Sequence, residues 1–196
     1  MSPKHTDPDV QLMLRFKDGD EDGFRTLFAN YQTRIINFCF RFCADYELAE
    51  DLAQEVFLRV YRAARRYRPT ARFSTWVYRI AVNVCLNENR KLKKNHLTRS
   101  IDSPATADEQ NSRLPECRDE NQVAADEMIV AGQRDEQIKN ALQKLPDQQR
   151  AAVLLRIYDG FSYKEIADQM RVREGKVKTL IFRGRQQMKQ ALEEWI

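Results

Sequence analysis

The chain has 196 residues, a net charge of +4, and only 6 glycines and 6 prolines among abundant Ala, Leu, Arg, Glu and Gln. That composition favours helix throughout, suits one domain or two small ones, and offers no alternating β-branched run from which to build a sheet. No apolar stretch approaches the ~20 residues needed to span a bilayer, the start lacks the apolar core of a signal peptide, and 4 cysteines do not make a disulfide framework, so the expectation is a cytoplasmic protein without membrane insertion.

In chain order, a first helix opens at Asp9 and runs to Phe16, and the Asp- and Gly-rich stretch 17–23 breaks it. A second helix is expected over 24–42, with Phe24, Leu27, Phe28, Tyr31, Ile35, Phe38 and Phe42 at three–four spacing. A third, 46–66, turns Leu48, Leu52, Val56, Val60 and Ala64 inward. Its other face carries Asp51, Gln54, Glu55 and Leu58, an aliphatic anchor rimmed by polar groups that suits a protein partner, although single exposed leucines are also ordinary. A fourth helix spans 74–94, with Trp76, Ile80 and Val84 on one stripe.

Across the third and fourth helices the charge is lopsided. Arg59, Arg62, Arg65, Arg66, Arg68, Arg72, Arg79, Arg90, Lys91, Lys93, Lys94 and Arg99 face a single acid, Glu88. Such a concentration is costly in self-repulsion unless a polyanion relieves it. Tyr61, Tyr67, Phe73, Trp76 and Tyr78 are interleaved with it, and cations that track phosphates beside rings that stack bases are the two components of a single-strand binding surface. Phe73 and Trp76 have a core reading as well, since Trp76, Ile80 and Val84 share a helical stripe, and rings with mixed duties are expected.

From Leu97 to about Asp126 apolar residues nearly vanish, while Pro104, Pro115 and a run of acids appear, which reads as a flexible acidic linker. Domains of 1–96 and 127–196 would flank it. The second contains Leu142, Leu145, Val153, Leu154, Leu155 and Ile157, a helix stop at Gly160, and then a helix-turn-helix. Ser162 with Glu165 three residues on is a capping box. After a turn over 171–175, Val177, Ile181 and Met188 form an inner line, and Lys178, Thr179, Phe182, Arg183 and Gln186 a second, solvent-directed face. A helix of this kind enters the DNA major groove; an ordinary helical hairpin with a solvated basic face has the same pattern.

Cys39 and Cys43, at i and i+4, share a face that could ligate a soft metal or report oxidation, but their apolar setting favours burial. His5 and His96 do not complete a metal site. No nucleophile–base set or phosphate-cradling Gly loop appears, so neither an enzyme nor a cofactor is expected.

The runs EDLAQEVFLRVY at 50–61, FSTWVYRIAVN at 73–83, Leu145-Pro146, and GFSYKEIA at 160–167 closely resemble the extracytoplasmic-function group of the bacterial sigma-70 family. The resemblance covers nearly the whole chain apart from its first residues and the linker. It implies an all-α protein of two small domains. The N-terminal one, region 2, would bind the clamp helices of core RNA polymerase through Asp51, Gln54, Glu55 and Leu58, and would melt the promoter −10 element. Asn83 and the loop 67–73 match the positions that read an unstacked −10 base, and the basic-aromatic stretch adds Tyr67, Arg72, Phe73, Trp76, Arg79 and Arg90 to that site. A base edge is fully legible only when unpaired, and an amide offers it both donor and acceptor. Region 4 would bind the polymerase flap and read the −35 duplex with Arg173, Lys176, Lys178, Thr179, Phe182 and Arg183. Arg can bridge guanine O6 and N7, and Phe182 can rest on a thymine methyl. An anti-sigma factor is the expected regulator.

The sequence departs from the family's pattern in the turn, where 173–177 replaces the usual run, at Leu180 and at Gly184. The glycine should weaken its helix by roughly 1 kcal/mol relative to Ala. Two other function classes remain open at this level: a dimeric helix-turn-helix regulator, and a redox or metal sensor centred on Cys39 and Cys43. The first leaves the Arg59 to Arg99 concentration unexplained, and the second leaves both basic faces unexplained.

Overall fold

The structure, a computed structural model, describes residues 7–99 and 125–193. Among them there are only helices: α1 (Pro8–Lys17), α2 (Glu21–Cys43), α3 (Tyr46–Ala63) followed by a 3₁₀ turn (Ala64–Arg66), α4 (Phe73–Arg99), α5 (Ala125–Lys144), α6 (Asp147–Ile157), α7 (Tyr163–Met170) and α8 (Glu174–Glu193). The all-α expectation and the helix-turn-helix are both present. Of the expected linker, only its first and last residues fall in described helices, and the rest lies outside the described residues.

Helix ends differ from the sequence reading for local reasons. Asp7 accepts from the Asp9 N–H ahead of Pro8, so α1 starts at the proline, whose missing N–H costs nothing in a first turn. Asp20 caps α2 in the same way, which shortens the expected break and places Gly23 inside the helix. That glycine is needed: a Cβ there would lie 2.5 Å from the Leu12 carbonyl oxygen, so α1 and α2 touch backbone to backbone. The third helix ends at Ala63 and tightens into the 3₁₀ turn rather than continuing to Arg66. The fourth extends to Arg99, beyond the expected 94.

α1–α4 enclose Val10, Met13, Leu27, Ile35, Phe38, Val56, Phe73 and Val77. α5–α8 enclose Leu142, Val153, Leu154, Leu155, Ile166, Val177 and Ile181. Ile157 is 52% exposed at the end of α6. The two sets join into one contiguous cluster, because α7 lies against α4 and α5 and α6 lie against α2.

Polar groups fasten that junction. Arg150 is buried and has no carboxylate partner among the described residues; its guanidinium donates to the carbonyls of Phe42 (2.6 Å), Gln143 (2.6 Å) and Leu145 (3.2 Å), and to Gln143 Oε1 (2.7 Å). These carbonyls lie at the C-terminal ends of α2 and α5, where unpaired oxygens and the negative ends of two helix dipoles stand in for counter-ions. Burial still pushes the Arg150 pKa down. Nearby, the Tyr78 hydroxyl donates to Asp159, Phe161 packs edge-on to the Tyr78 ring (4.9 Å), and Asp147 accepts from Asn89 (2.7 Å) and Lys93 (2.8 Å).

Gly184 has a different meaning from the one its helix propensity suggests. It is buried where α8 crosses α6, and a Cβ would meet Val153 Cγ2 at 2.7 Å. The side chain is absent because the two helices need the space.

Candidate polymerase and nucleic-acid interfaces

On α3, the inward repeat places Leu52, Val56 and Val60 in the core, and leaves Asp51 and Gln54 exposed with Leu58 at 49%. Glu55 is half-buried and accepts from Arg59 at 2.7 Å, a bond that holds its carboxyl below the usual carboxylate range. One face therefore carries an apolar knob with acid and amide neighbours, as the spacing implied.

The expected −10 residues divide. Phe73 is fully buried, edge-on to Tyr31 (5.1 Å), and Tyr67 is buried against Trp76 (4.9 Å). Burial pushes the Tyr67 phenol up to about 12, with the nearby Asp7 carboxylate adding to the effect, and its hydroxyl has no hydrogen-bond partner among the described residues. These two rings are core members that shape the loop 67–73 and are not free to stack on a base. Trp76, Arg79 and Asn83 are half-buried along α4, while Arg72 and Arg90 are exposed. Arg79 Nε is a buried donor without a partner among the described residues. Arg90 donates to Asn87 at 3.3 Å.

α7 approaches this surface. The capping box is complete: Ser162 Oγ accepts from the Glu165 N–H (3.3 Å), and the Glu165 carboxylate accepts from the Ser162 N–H (2.9 Å). Burial pushes the Glu165 carboxyl up, but the Ser162 bonds and the nearby Arg72 guanidinium outweigh it and hold the pKa below the usual range. A cation expected on the −10 site thus has an acid of the helix-turn-helix close by.

α7 ends at Arg171, which adopts the left-handed conformation (φ 55°) usually left to glycine. The turn is therefore shorter than expected, and Gly175 lies in the first turn of α8 with open space around it. Val177, Ile181 and Gly184 anchor α8. Arg173, Lys176, Lys178, Thr179, Phe182 (64%) and Arg183 all stand in solvent. Lys178 pairs with Glu174 at 3.2 Å, a surface contact of little energy.

Cys39 is buried, but its close neighbour is Cys85 of α4 (Sγ–Sγ 3.7 Å) rather than Cys43. The Cys43 thiol donates to the Asp45 carbonyl, and burial pushes its pKa up to about 11. No group of metal-ligating side chains occurs among the described residues, and no described helix is long and apolar enough to cross a membrane.

Sequence reasoning missed Arg150, the Tyr78–Asp159 pair, and the contacts of Asp7 and Lys17 with the loop 67–73. Only Asp7 left a signal, as the residue before a proline that can open a helix.

The chain matches the models of Sigma-70 region 2 over residues 27–95 and Sigma-70, region 4 over residues 135–188. It is 33% identical over 189 residues to the RNA polymerase sigma-H factor of Pseudomonas aeruginosa, covering 94% of each chain. It is 30% identical over 178 residues to the ECF RNA polymerase sigma factor SigW of Bacillus subtilis, covering 91% of this chain and 93% of that one. Its fold is similar to that of CnrH in complex with the cytosolic domain of CnrY (TM-score 0.68, 18% identity, 95% and 97% covered). It is also similar to the sigma factor RpoE of Bartonella quintana in complex with the anti-sigma factor NepR (TM-score 0.67, 19% identity, 87% and 96% covered).

Proposed function

This chain belongs to the sigma-70 family, among its extracytoplasmic-function members, and we propose how its surfaces divide the work of promoter recognition. As a sigma factor it is a non-enzymatic subunit that binds core RNA polymerase and promoter DNA and directs promoter-specific initiation. Three surfaces carry the proposal. The outer face of α3, with Asp51, Gln54, Glu55 and Leu58, docks on the polymerase clamp helices. Asn83 with the loop 67–73 captures an unpaired −10 base, helped by Trp76, Arg79 and the exposed cations Arg72 and Arg90. The outer face of α8 reads the −35 duplex while region 4 engages the flap.

The single observation behind the reading is the division along α8: a buried line of Val177, Ile181 and Gly184, and on the other side Lys178, Thr179, Phe182 and Arg183, all solvent-facing. A helix so anchored presents its whole polar face to a groove.

Two further assignments follow. The domains are taken as 1–96 and 127–196, with the described region 2 helix running on to Arg99. The protein works in the cytoplasm with the polymerase, and an anti-sigma factor controls it, a mode of control supported by the fold shared with RpoE in its NepR complex.

The decisive experiment is permanganate footprinting of reconstituted holoenzyme on a matched promoter, with a pre-melted template as control. Asn83→Ala should leave core binding and −35 binding intact. It should lower open-complex formation by about 1–3 kcal/mol and relax discrimination at one −10 position. Parent-like opening of every −10 variant by Asn83→Ala would place the pocket elsewhere.

A further inference from the structure

We propose that α1 is a positioning element for −10 recognition, with Asp7 and Lys17 holding the two ends of loop 67–73 in register with Asn83. The proposal rests on the reading of that loop and Asn83 as the −10 pocket.

The loop has little internal support. Its only backbone hydrogen bond within itself runs from the Thr70 N–H to the Arg68 carbonyl (2.8 Å), and Arg68, Thr70 and Arg72 are exposed. Both of its ends are instead bound from α1, a helix that lies N-terminal to the segment matching region 2. At the far end, the Asp7 carboxylate accepts from two helix starts at once: Oδ1 from the Asp9 N–H (3.0 Å) and Oδ2 from the Phe73 N–H (3.2 Å). The first N–H groups of a helix have no partner within it, and a negative charge between two positive dipole ends is favourable at both. At the near end, Lys17 Nζ donates to the Tyr67 carbonyl (3.2 Å). A third contact reinforces the first: the Tyr31 hydroxyl donates to Asp9 (2.6 Å) while its ring packs on Phe73 (5.1 Å).

α1 can serve as a fixed rail because it is itself immobilised. Val10, Met13 and Phe16 are buried, and Gly23 lets α2 approach its backbone. Loop ends tied to a rigid helix leave the tip little freedom, so a base meets a pre-shaped edge. Ordering that would otherwise oppose base capture is already complete.

The test uses full-length chain in a Trp195→Phe background, so that Trp76, which touches both Tyr67 and Phe73, is the reporter ring. Asp7→Ser keeps a good cap for α1 but is too short to span to Phe73, and Lys17→Met keeps the stem without the donor. In reconstituted holoenzyme both should bind core polymerase like the parent. Both should reduce the ratio of open-complex formation between the preferred −10 sequence and single-base variants by about five- to tenfold, the scale of one lost charge-assisted hydrogen bond. Trp76 emission should shift to the red, and Lys17→Arg, which keeps a donor, should restore both readouts. If Asp7→Ser fails to fold, the exposed Lys17 carries the test alone. Parent-like discrimination and emission in Lys17→Met, while Asn83→Ala flattens discrimination, would overturn the proposal and leave the pocket standing. So would a uniform loss of opening on all −10 sequences with the ratio unchanged. If Asn83→Ala also leaves the ratio unchanged, the pocket reading fails and this proposal with it.

Discussion

In region 4 the side chains proposed to touch DNA stand clear of the core, with Phe182 64% exposed on a helix whose opposite side is locked by Val177, Ile181 and Gly184. In region 2 the proposed −10 surface is made partly of core: Phe73 and Tyr67 are buried, Trp76 is wedged between them, and Arg72 has the Glu165 acid of region 4 nearby. The difference follows the two tasks. A duplex groove is read by a projecting face that keeps its shape in solution. An unpaired base is read by a recess, and a recess has walls that must pack. Mutations on α8 should therefore separate stability from binding cleanly, whereas those on α4 and its loop should couple them.

The largest break in this picture is expected at the junction of the two blocks. Arg150→Met takes the guanidinium from the carbonyls of Gln143 and Leu145 and leaves that of Phe42 with Gln143 Nε2 alone (3.2 Å). It should cost about 3 kcal/mol of stability in urea titration. A loss confined to a few tenths would mean that the carbonyls find other donors.

Next is Gly184→Ala. Helix propensity alone favours the alanine by about 1 kcal/mol, but the methyl would meet Val153 Cγ2 at 2.7 Å. Overpacking of this kind costs about 1–3 kcal/mol, so thermal unfolding should show net destabilisation. A stabilised variant would show that α6 and α8 can move apart freely.

Phe182→Ala sharpens the contrast from the other side. Stability should stay within about 0.5 kcal/mol of the parent, as for exposed sites generally. Binding of the −35 duplex, measured by anisotropy on the full chain, should weaken by about 1–3 kcal/mol at the base it contacts.

The smallest effects concern pH, and here two acids of region 4 should behave oppositely. Burial raises the Asp159 carboxyl pKa, so its contribution is fully present below the unfolded value and is lost as pH rises through the folded one. Ser162 and Arg72 hold Glu165 low against burial, so its contribution is present above the unfolded value and is lost as pH falls through the folded one. Compared with the parent across the carboxylate range, Asp159→Asn and Glu165→Gln should change the pH slope of stability with opposite signs. The Tyr78 phenol, raised by burial and by Asp159, stays protonated as the donor throughout.

Much was legible in the sequence wherever a feature is local. Three–four spacing marks the inner faces of α2, α3 and α8, with Phe28 of the α2 stripe the exception at 38% exposed, and the Ser162–Glu165 pair marks the start of α7 at Tyr163. The exposed sites were equally readable, because a charged residue opposite an apolar line has only solvent to face: Asp51, Gln54 and Leu58, and the whole outer face of α8, lie where the periodicity put them. What could not be read depends on residues far apart in the chain. The interleaved rings divide between core and surface, with Phe73 and Trp76 the core candidates by sequence, but only the fold shows that Tyr31 and Asp7 close around Phe73 while Tyr67 is buried against a Trp76 that stays half-exposed. Cys39 was paired by spacing with Cys43, one turn away, whereas helix packing set it beside Cys85. Gly184 read as a weak point in a helix and is instead the clearance between two. Periodicity reports which side of a helix is buried; which neighbour buries it is decided by contacts across tens of residues, such as those that Arg150 makes to the end of α2, and only the assembled fold creates them.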